Sequence, residues 1–363
     1  MTEKKLILGL ALHDGSGALN NAWRAPQVNP ENYANFEANI RYAQAAERGK
    51  FAFLFIPDFP AVRGDIEHGG VRNIIDPMIA LTAISQATSR IGFVATGSTS
   101  FQEPFNHARQ FKALDVLSHG RAGWNAVTTS DPAVAANYGK PVAERSERYQ
   151  RAHESIQIVQ ALWGSWQKEA WIKNQASGQY IDSSKLQPVN LQGKYVASRG
   201  PLAIPPSEQG QPVIFSSGGP SPHLLALAGR YASGFIGEVW TIEDGRAQRA
   251  MVRRAAEEAG RDPDDIKFFA GIMPTVARVF ARASTVESRS LETLSKHRYP
   301  SWLTCWEYRS TADDSMSLSP PSSSPELTRH GIHAPVSPWT SPARAGLSAT
   351  SSPTASSTTT PPW

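Results

Sequence analysis

Several short stretches of this chain set chemically capable side chains at the ends of apolar runs. Asp58 closes FAFLFIPD, Thr96 and Ser98 close the run in IGFVATGSTS, and Asn125 sits inside GRAGWNAVTTS with Thr128, Thr129 and Ser130 directly behind it. A buried Asn brings donors and an acceptor, and leaving them without partners costs roughly 1–3 kcal/mol. Asn125 therefore needs either an internal partner or a ligand. The hydroxyls after it suit a cap on the next helix or contacts to a ligand's oxygens. Asp58 admits the same two readings, a loop cap or a carboxylate facing the polar edge of a ring. Thr96 is also an ordinary strand residue. Trp124 alternates to the opposite face from Asn125 and reads as packing.

A second group is SSGGPS, in which Gly218, Gly219, Pro220 and Ser221 form a glycine turn opening a helix. Glycines let backbone N–H groups approach a ligand, and a helix N-terminus favours an anion, so the turn suits a phosphate. It is also a generic turn, since neither GxxxxGK[ST] nor GxGxxG occurs here. In ERSERY, Arg145 and Tyr149 are four apart and share a helix face, which otherwise reads as a solvated charged face. The histidines form neither HExxH nor a ligand triplet, and no GxSxG precedes a helix, so neither a catalytic metal nor a nucleophile elbow is indicated. Cys305 is the single cysteine, which excludes an internal disulfide and a Cys-based metal site.

These residues need a scaffold that gathers strand ends. Apolar runs at 6–12, 51–58, 91–100, 120–127, 212–219, 234–239 and 266–277 alternate with helical periods at 32–49, from Asp76-Pro77, at 104–119, 144–163, to about 231 and at 242–260. Seven alternating units predict a parallel sheet with helical crossovers. Polar residues gathered at the strands' C-terminal ends favour a (β/α)₈ barrel, although a doubly wound sheet shares that bias. Residues 169–211 lose the helical period and read as an inserted excursion. After about Arg278 the chain turns Ser/Thr/Pro-rich and no eighth strand is visible, so 1–278 are expected to form an incomplete barrel and 279–363 a disordered tail.

Composition limits the partners. A net charge of +4 without a Lys/Arg run argues against nucleic acid. Membrane association is not expected, since no run of roughly 20 apolar residues occurs. The N-terminal apolar run breaks at His13 and Asp14 without a cleavage site, so a cytoplasmic location is expected.

Taken together, FAFLFIPD, the long stretch from GFVATGSTS to AANYG, ERSERY, PVIFSSGGPS and DPDDIKFFAGIMP resemble the bacterial luciferase-like flavin-dependent monooxygenases. The branch is that of the nitrilotriacetate, dibenzothiophene-sulfone and long-chain alkane monooxygenases, and the resemblance covers about residues 5–277. It implies a TIM barrel that takes reduced FMN (FMNH₂) from a separate NAD(P)H:flavin reductase. It implies reaction with O₂ to a C4a-hydroperoxide that oxygenates a small organic substrate. Homo-oligomerisation is left open. Residue by residue, the matching flavin contacts are Asp58, Thr96, Thr129, Ser130, Arg145, Tyr149, Gly218, Gly219, Pro220 and Ser221. Of these, Thr129, Ser130, Gly219 and Ser221 would hold phosphate and ribityl oxygens, and Asp58 and Thr96 would lie near the isoalloxazine. Relatives often carry histidine where Arg145 stands, so a donor is kept but its reach differs. Such chemistry asks the protein to bind, orient and exclude water, which suits the lack of a triad or metal motif. No catalytic residue is assigned; His13 and His107 are candidates for proton transfer by type alone. The alternatives are a deazaflavin (F420)-dependent oxidoreductase of the same fold, or an inactive remnant. Past Arg278 the text reads like a shifted frame or misassigned exon. A barrel without its eighth strand leaves two unpaired edges, so the chain as written is expected to be unstable or inactive.

Overall fold

Each apolar run ends where a capped helix begins, and this repetition builds the structure, a computed structural model describing residues 6–12, 22–24, 28–33, 35–62, 66–69 and 75–272. In chain order come β1 (Gly9–Ala11), α1 (Phe36–Arg48), β2 (Phe53–Ile56), the one-turn α2 (Ile66–Gly69), α3 (Pro77–Ser85), β3 (Gly92–Ser98), α4 (Pro104–Leu117) and β4 (Ala122–Val127). Next are α5 (Pro132–Asn137) and α6 (Arg145–Trp163), followed by the predicted excursion. That excursion is structured: it holds two small antiparallel pairs, β5 (Trp171–Asn174) with β6 (Gln179–Ile181) and β7 (Leu191–Gln192) with β8 (Ala197–Ser198). The alternation resumes with β9 (Val213–Gly218), α7 (Pro222–Tyr231), β10 (Gly234–Gly237), α8 (Ile242–Glu258) and β11 (Lys267–Ala270).

Helix starts follow local chemistry. Asp76 accepts from the backbone N–H groups of Met78 and Ile79 with Pro77 at the first helical position, as the Asp-Pro pair predicts. Asn35 and Ser221 cap α1 and α7 in the same way.

The seven strands β1-β2-β3-β4-β9-β10-β11 form one wholly parallel sheet in that order. The sheet curls. Phe53 of β2, Phe215 of β9 and Phe269 of β11 lie far apart in the strand order, yet their rings meet at 5.1–5.8 Å. This is possible only if one face of the sheet closes on itself, as in a β/α barrel. The three rings pack with Val94 as a dry floor, while Leu54, Phe93, Trp124, Ile214 and Phe235 are buried on the outer face, toward the helices. Glycines make room for the floor: a Cβ at Gly9 would overlap the Phe53 ring, and one at Gly234 the Phe215 ring.

Charged side chains fasten the connections. Glu47 accepts from the backbone N–H groups of Ser89, Arg90 and Ile91, and Arg121 donates to the carbonyls of Ser85, Thr88 and Ile91. Lys112 and Asp115 are fully buried. The Lys112 ammonium holds the Gly210 carbonyl, and the Asp115 carboxylate accepts from Ser207 and Gln209, tying the end of the excursion to α4. Burial pushes the Lys112 pKa down, and the Asp115 charge opposes that shift.

The continuous apolar run at 6–12 predicts a strand buried on both faces, and the structure departs from that. Only Gly9–Ala11 pairs, Leu6 is 83% exposed, and Ile7 and Leu8 are exposed as well, so this run is not buried on both faces. β1 pairs with β2 and with no other described strand. The expected lack of an eighth strand and the expected disorder of 279–363 concern residues outside those described, as do residues 273–277 of the seventh run.

Gly234→Ala should lower unfolding free energy by about 1–3 kcal/mol, the usual range for overpacking. Pairing it with Phe215→Leu should recover part of that loss. Chemical denaturation of the three variants checks this, and additive losses would contradict the packing of Phe215 over Gly234.

Candidate functional site

The sheet's alternation sends Thr96 and Ser98 of β3, Asn125 of β4 and Ser217 of β9 to the inner face, above the phenylalanine floor. With Asp58, Thr129 and Ser130 from the loops after β2 and β4, they line a cavity of about 500 Å³. Phe55, Phe101 and Tyr138 supply its apolar walls, the last two rings stacked at 4.7 Å. A volume of this size and a mostly apolar wall with few polar groups are typical of a small-molecule or cofactor site.

Thr96 and Asn125 are direct neighbours in the β3–β4 register, and the Asn125 amide donates to the Thr96 hydroxyl at 3.0 Å. Asn125 is 1% exposed, and its Oδ1 has no hydrogen-bond partner among the described residues. The amide's other orientation would leave a donor unpaired instead, so either way one atom of a buried carboxamide beside the cavity lacks a partner among the described residues. The sequence puzzle of an amide in a strand is thus half answered inside the protein, and the other half points to a ligand.

The hydroxyls after β4 are not helix caps. Asp131 caps α5, accepting from Ala133 and Val134. The Thr129 hydroxyl lies 2.6 Å from that of Ser98, and the Thr129 backbone N–H donates to the Ser100 hydroxyl at 3.1 Å. Ser130 is exposed at the rim. Asp58 accepts no hydrogen bond among the described residues, which removes the loop-cap reading. Burial and, to a lesser degree, the Asp76 charge raise its carboxyl pKa to about 6. The same two carboxylates add to the burial that pushes the Tyr138 phenol up.

Four of the expected flavin contacts (Asp58, Thr96, Thr129 and Ser130) therefore meet on one cavity, joined by Asn125 and Ser98, which the sequence reading also named, and by Ser217. Arg145, Tyr149 and the turn from Gly218 to Ser221 are not in its lining. The turn starts at the residue after Ser217 and opens α7, with Gly218 at φ +127°, a conformation that requires glycine. A side chain at Gly219 would meet open space. Tyr149 stacks on His223 of the first turn of α7, rings 5.4 Å apart, so it belongs to this second group. Arg145 is exposed on the first turn of α6. His107 lies behind β3 among Phe111 and Trp124, away from the cavity, and His13 is outside the described residues. No cluster of His, Cys, Asp or Glu among the described residues could hold a metal ion. No helix among them is long and apolar enough to cross a membrane.

A parallel β/α barrel with its polar groups at the strands' C-terminal ends is the architecture of a barrel that builds its site at that face. A family model described as luciferase-like monooxygenase matches residues 18–302, and the chain belongs to that family. The match runs beyond Arg278, where the sequence reading ended the resemblance. The chain is 39% identical over 280 residues to N-acetyl-S-(2-succino)cysteine monooxygenase of Bacillus subtilis (strain 168), covering 76% of this chain and 63% of that protein. It is 32% identical over 292 residues to nitrilotriacetate monooxygenase component A of Aminobacter aminovorans, covering 77% and 64%. Among solved structures, a riboflavin lyase with modified FMN and riboflavin has a TM-score of 0.74 at 29% identity, covering 80% of this chain and 67% of that one. The chain spans less than two thirds of the length of the curated relatives it matches here. The branch named from the sequence is the one found.

A raised carboxyl pKa means the folded state holds the Asp58 proton more tightly than the unfolded chain does. Its contribution to stability is full below about pH 3.8 and is lost as pH rises through about 6. Asp58→Asn, which cannot ionise, should melt about 2 °C above wild type at pH 8, after discounting for solvent screening, and equal to it at pH 4. Melting curves across that range check the sign.

Proposed function

We propose that this chain is the oxygenating member of a two-component system, binding reduced FMN from a separate NAD(P)H:flavin reductase and inserting one oxygen atom from O₂ into a small organic substrate. The observation that carries the reading is the buried Asn125 carboxamide with one unpaired atom at a cavity of cofactor size. A flavin ring edge carries both donors and acceptors and would satisfy either orientation of that amide. Family membership supports it, as do a relative solved with modified FMN and one described as component A of a monooxygenase.

When bound, reduced FMN supplies the electrons and the reaction with O₂. The chain's own residues bind, orient and exclude water. In this reading Asp58, Thr96 and Asn125 meet the ring, between the walls of Phe55 and the Phe101–Tyr138 pair. Thr129 and Ser130 meet ribityl oxygens. Gly218 and Gly219 would present backbone N–H groups to the phosphate, Ser221 its hydroxyl at the α7 N-terminus, and Pro220 the fixed turn between them, with Tyr149 and Arg145 beside them. Asp58 titrates near pH 6 in the ligand-free state, so it can present either a proton or a lone pair to the ring edge close to neutrality.

Anaerobic titration with reduced FMN should give saturable binding with one flavin per chain. Thr129→Ala with Ser130→Ala should weaken it roughly tenfold, the sum of two modest hydrogen bonds. Adding a flavin reductase, NADH and air, then screening amines, sulfones and alkanes, tests oxygenation. Binding of F420 in preference to FMN, or flavin affinity indifferent to both substitutions, would contradict the reading.

A further inference from the structure

β3 outruns its neighbour on one side. Its pairing with β2 ends at Ala95, whereas its pairing with β4 continues to Ser98. Beyond Ala95 β3 has no β2 partner, and the carbonyls of Gly97, Ser98 and Thr99 each meet a side chain from a different element. Trp124 Nε1 of β4 donates to Gly97 O at 3.0 Å, and Arg151 Nε of α6 to Thr99 O at 2.9 Å. Between them, His107 Nε2 of α4 lies 3.0 Å from Ser98 O.

His107 is 1% exposed, and burial pushes its pKa down to about 4, so the ring is neutral. A carbonyl can only accept, which places the single ring proton on Nε2. Nδ1 is then a buried acceptor with no partner among the described residues, at a cost the site sustains. The ring also sets the backbone sterically: a Cβ at Gly97 would lie 2.8 Å from His107 Cε1 and 2.9 Å from Trp124 Nε1. The same residue whose carbonyl His107 holds, Ser98, carries the hydroxyl that pairs with Thr129 on the cavity side.

We propose that His107 is a positioning residue for the cavity: by holding the Ser98 carbonyl from behind, it fixes the Ser98–Thr129 hydroxyl pair that faces the ligand. The inference rests on the flavin reading only for what the ligand is. A leucine would fill the same space but leave Ser98 O unpaired in an apolar layer. The end of β3 would then turn toward water, and the hydroxyl pair would loosen.

The test uses the full chain with His107→Leu, which removes the donor, and His107→Gln, which keeps an amide donor at similar reach. Val252→Ala in α8, far along the sequence and buried against the α7–β10 cluster, is the stability-matched control. Two readouts are taken: amide hydrogen exchange at Ser100 and Thr129 in the ligand-free protein, and the dissociation constant for reduced FMN. His107→Leu should speed exchange at Thr129 and weaken FMN each by about tenfold, with His107→Gln near wild type and Val252→Ala changing neither. If His107→Leu does not fold, His107→Met, whose flexible chain fills the space without a donor, takes its place. Wild-type exchange and affinity in the Leu or Met variant, or equal changes in Val252→Ala, would overturn the proposal. If wild type binds no FMN, the flavin reading fails, and the exchange comparison still decides whether His107 positions the pair.

Discussion

The site depends on how the end of β3 is held once its pairing with β2 has ended. A backbone carbonyl there cannot be left dry and unpaired, and water is shut out by the helix layer. Donors from β4, α4 and α6 meet the carbonyls of Gly97, Ser98 and Thr99 from behind. Because a strand alternates, fixing the backbone from the outside aims Thr96 and Ser98 inward. Those two then place Asn125 and Thr129. The polar wall of the cavity is thus ordered by groups that never touch its contents.

Below that wall the barrel is closed by rings. Phe53, Phe215 and Phe269 fill the interior between strands and keep it dry, with glycines on β1 and β10 making room. Directly above, the same inward positions switch from aromatic to polar. The step from a packed floor to a few hydrogen-bonding groups defines where a flat ring could rest, with one face on apolar walls and its edge on Asp58, Thr96 and Asn125. The turn after β9 continues from Ser217 to the α7 N-terminus, which gives a ring-and-phosphate ligand a polar end. In the proposed reading strand ends would supply the ring contacts, and a helix start the anion contact.

Much of this was legible in the residues. Asp76-Pro77 and Ser221-Pro222 mark helix starts because the cap and the fixed proline φ are local effects. The alternation of Trp124 and Asn125 assigns one to packing and one to the interior because a strand has period two. Asp131-Pro132 carries the same local signature as Asp76-Pro77 and caps α5, so the release of Thr129 and Ser130 from that role was there to be read and was overlooked. What could not be read depends on contacts distant in sequence. Ser98 gave no signal beyond being a hydroxyl at a strand end, and Lys112 and Asp115 are buried by an excursion distant from them in sequence. His107 was singled out by type for proton transfer; only the placement of α4 against β3 shows it working on the backbone. β1 was overread, because an apolar run fits a strand covered on both faces and one covered on a single side equally well.

The central claim is that the Asn125 wall and the turn after Ser217 are two ends of one flavin site. A structure of the chain with FMN bound tests it most directly. The account predicts the isoalloxazine edge within hydrogen-bonding distance of Asn125 and Thr96, with the phosphate at the turn from Gly218 to Ser221. A flavin seated elsewhere, for instance against Trp166 and Trp171 of the excursion, or one that leaves the Asn125 amide unpaired, would contradict it.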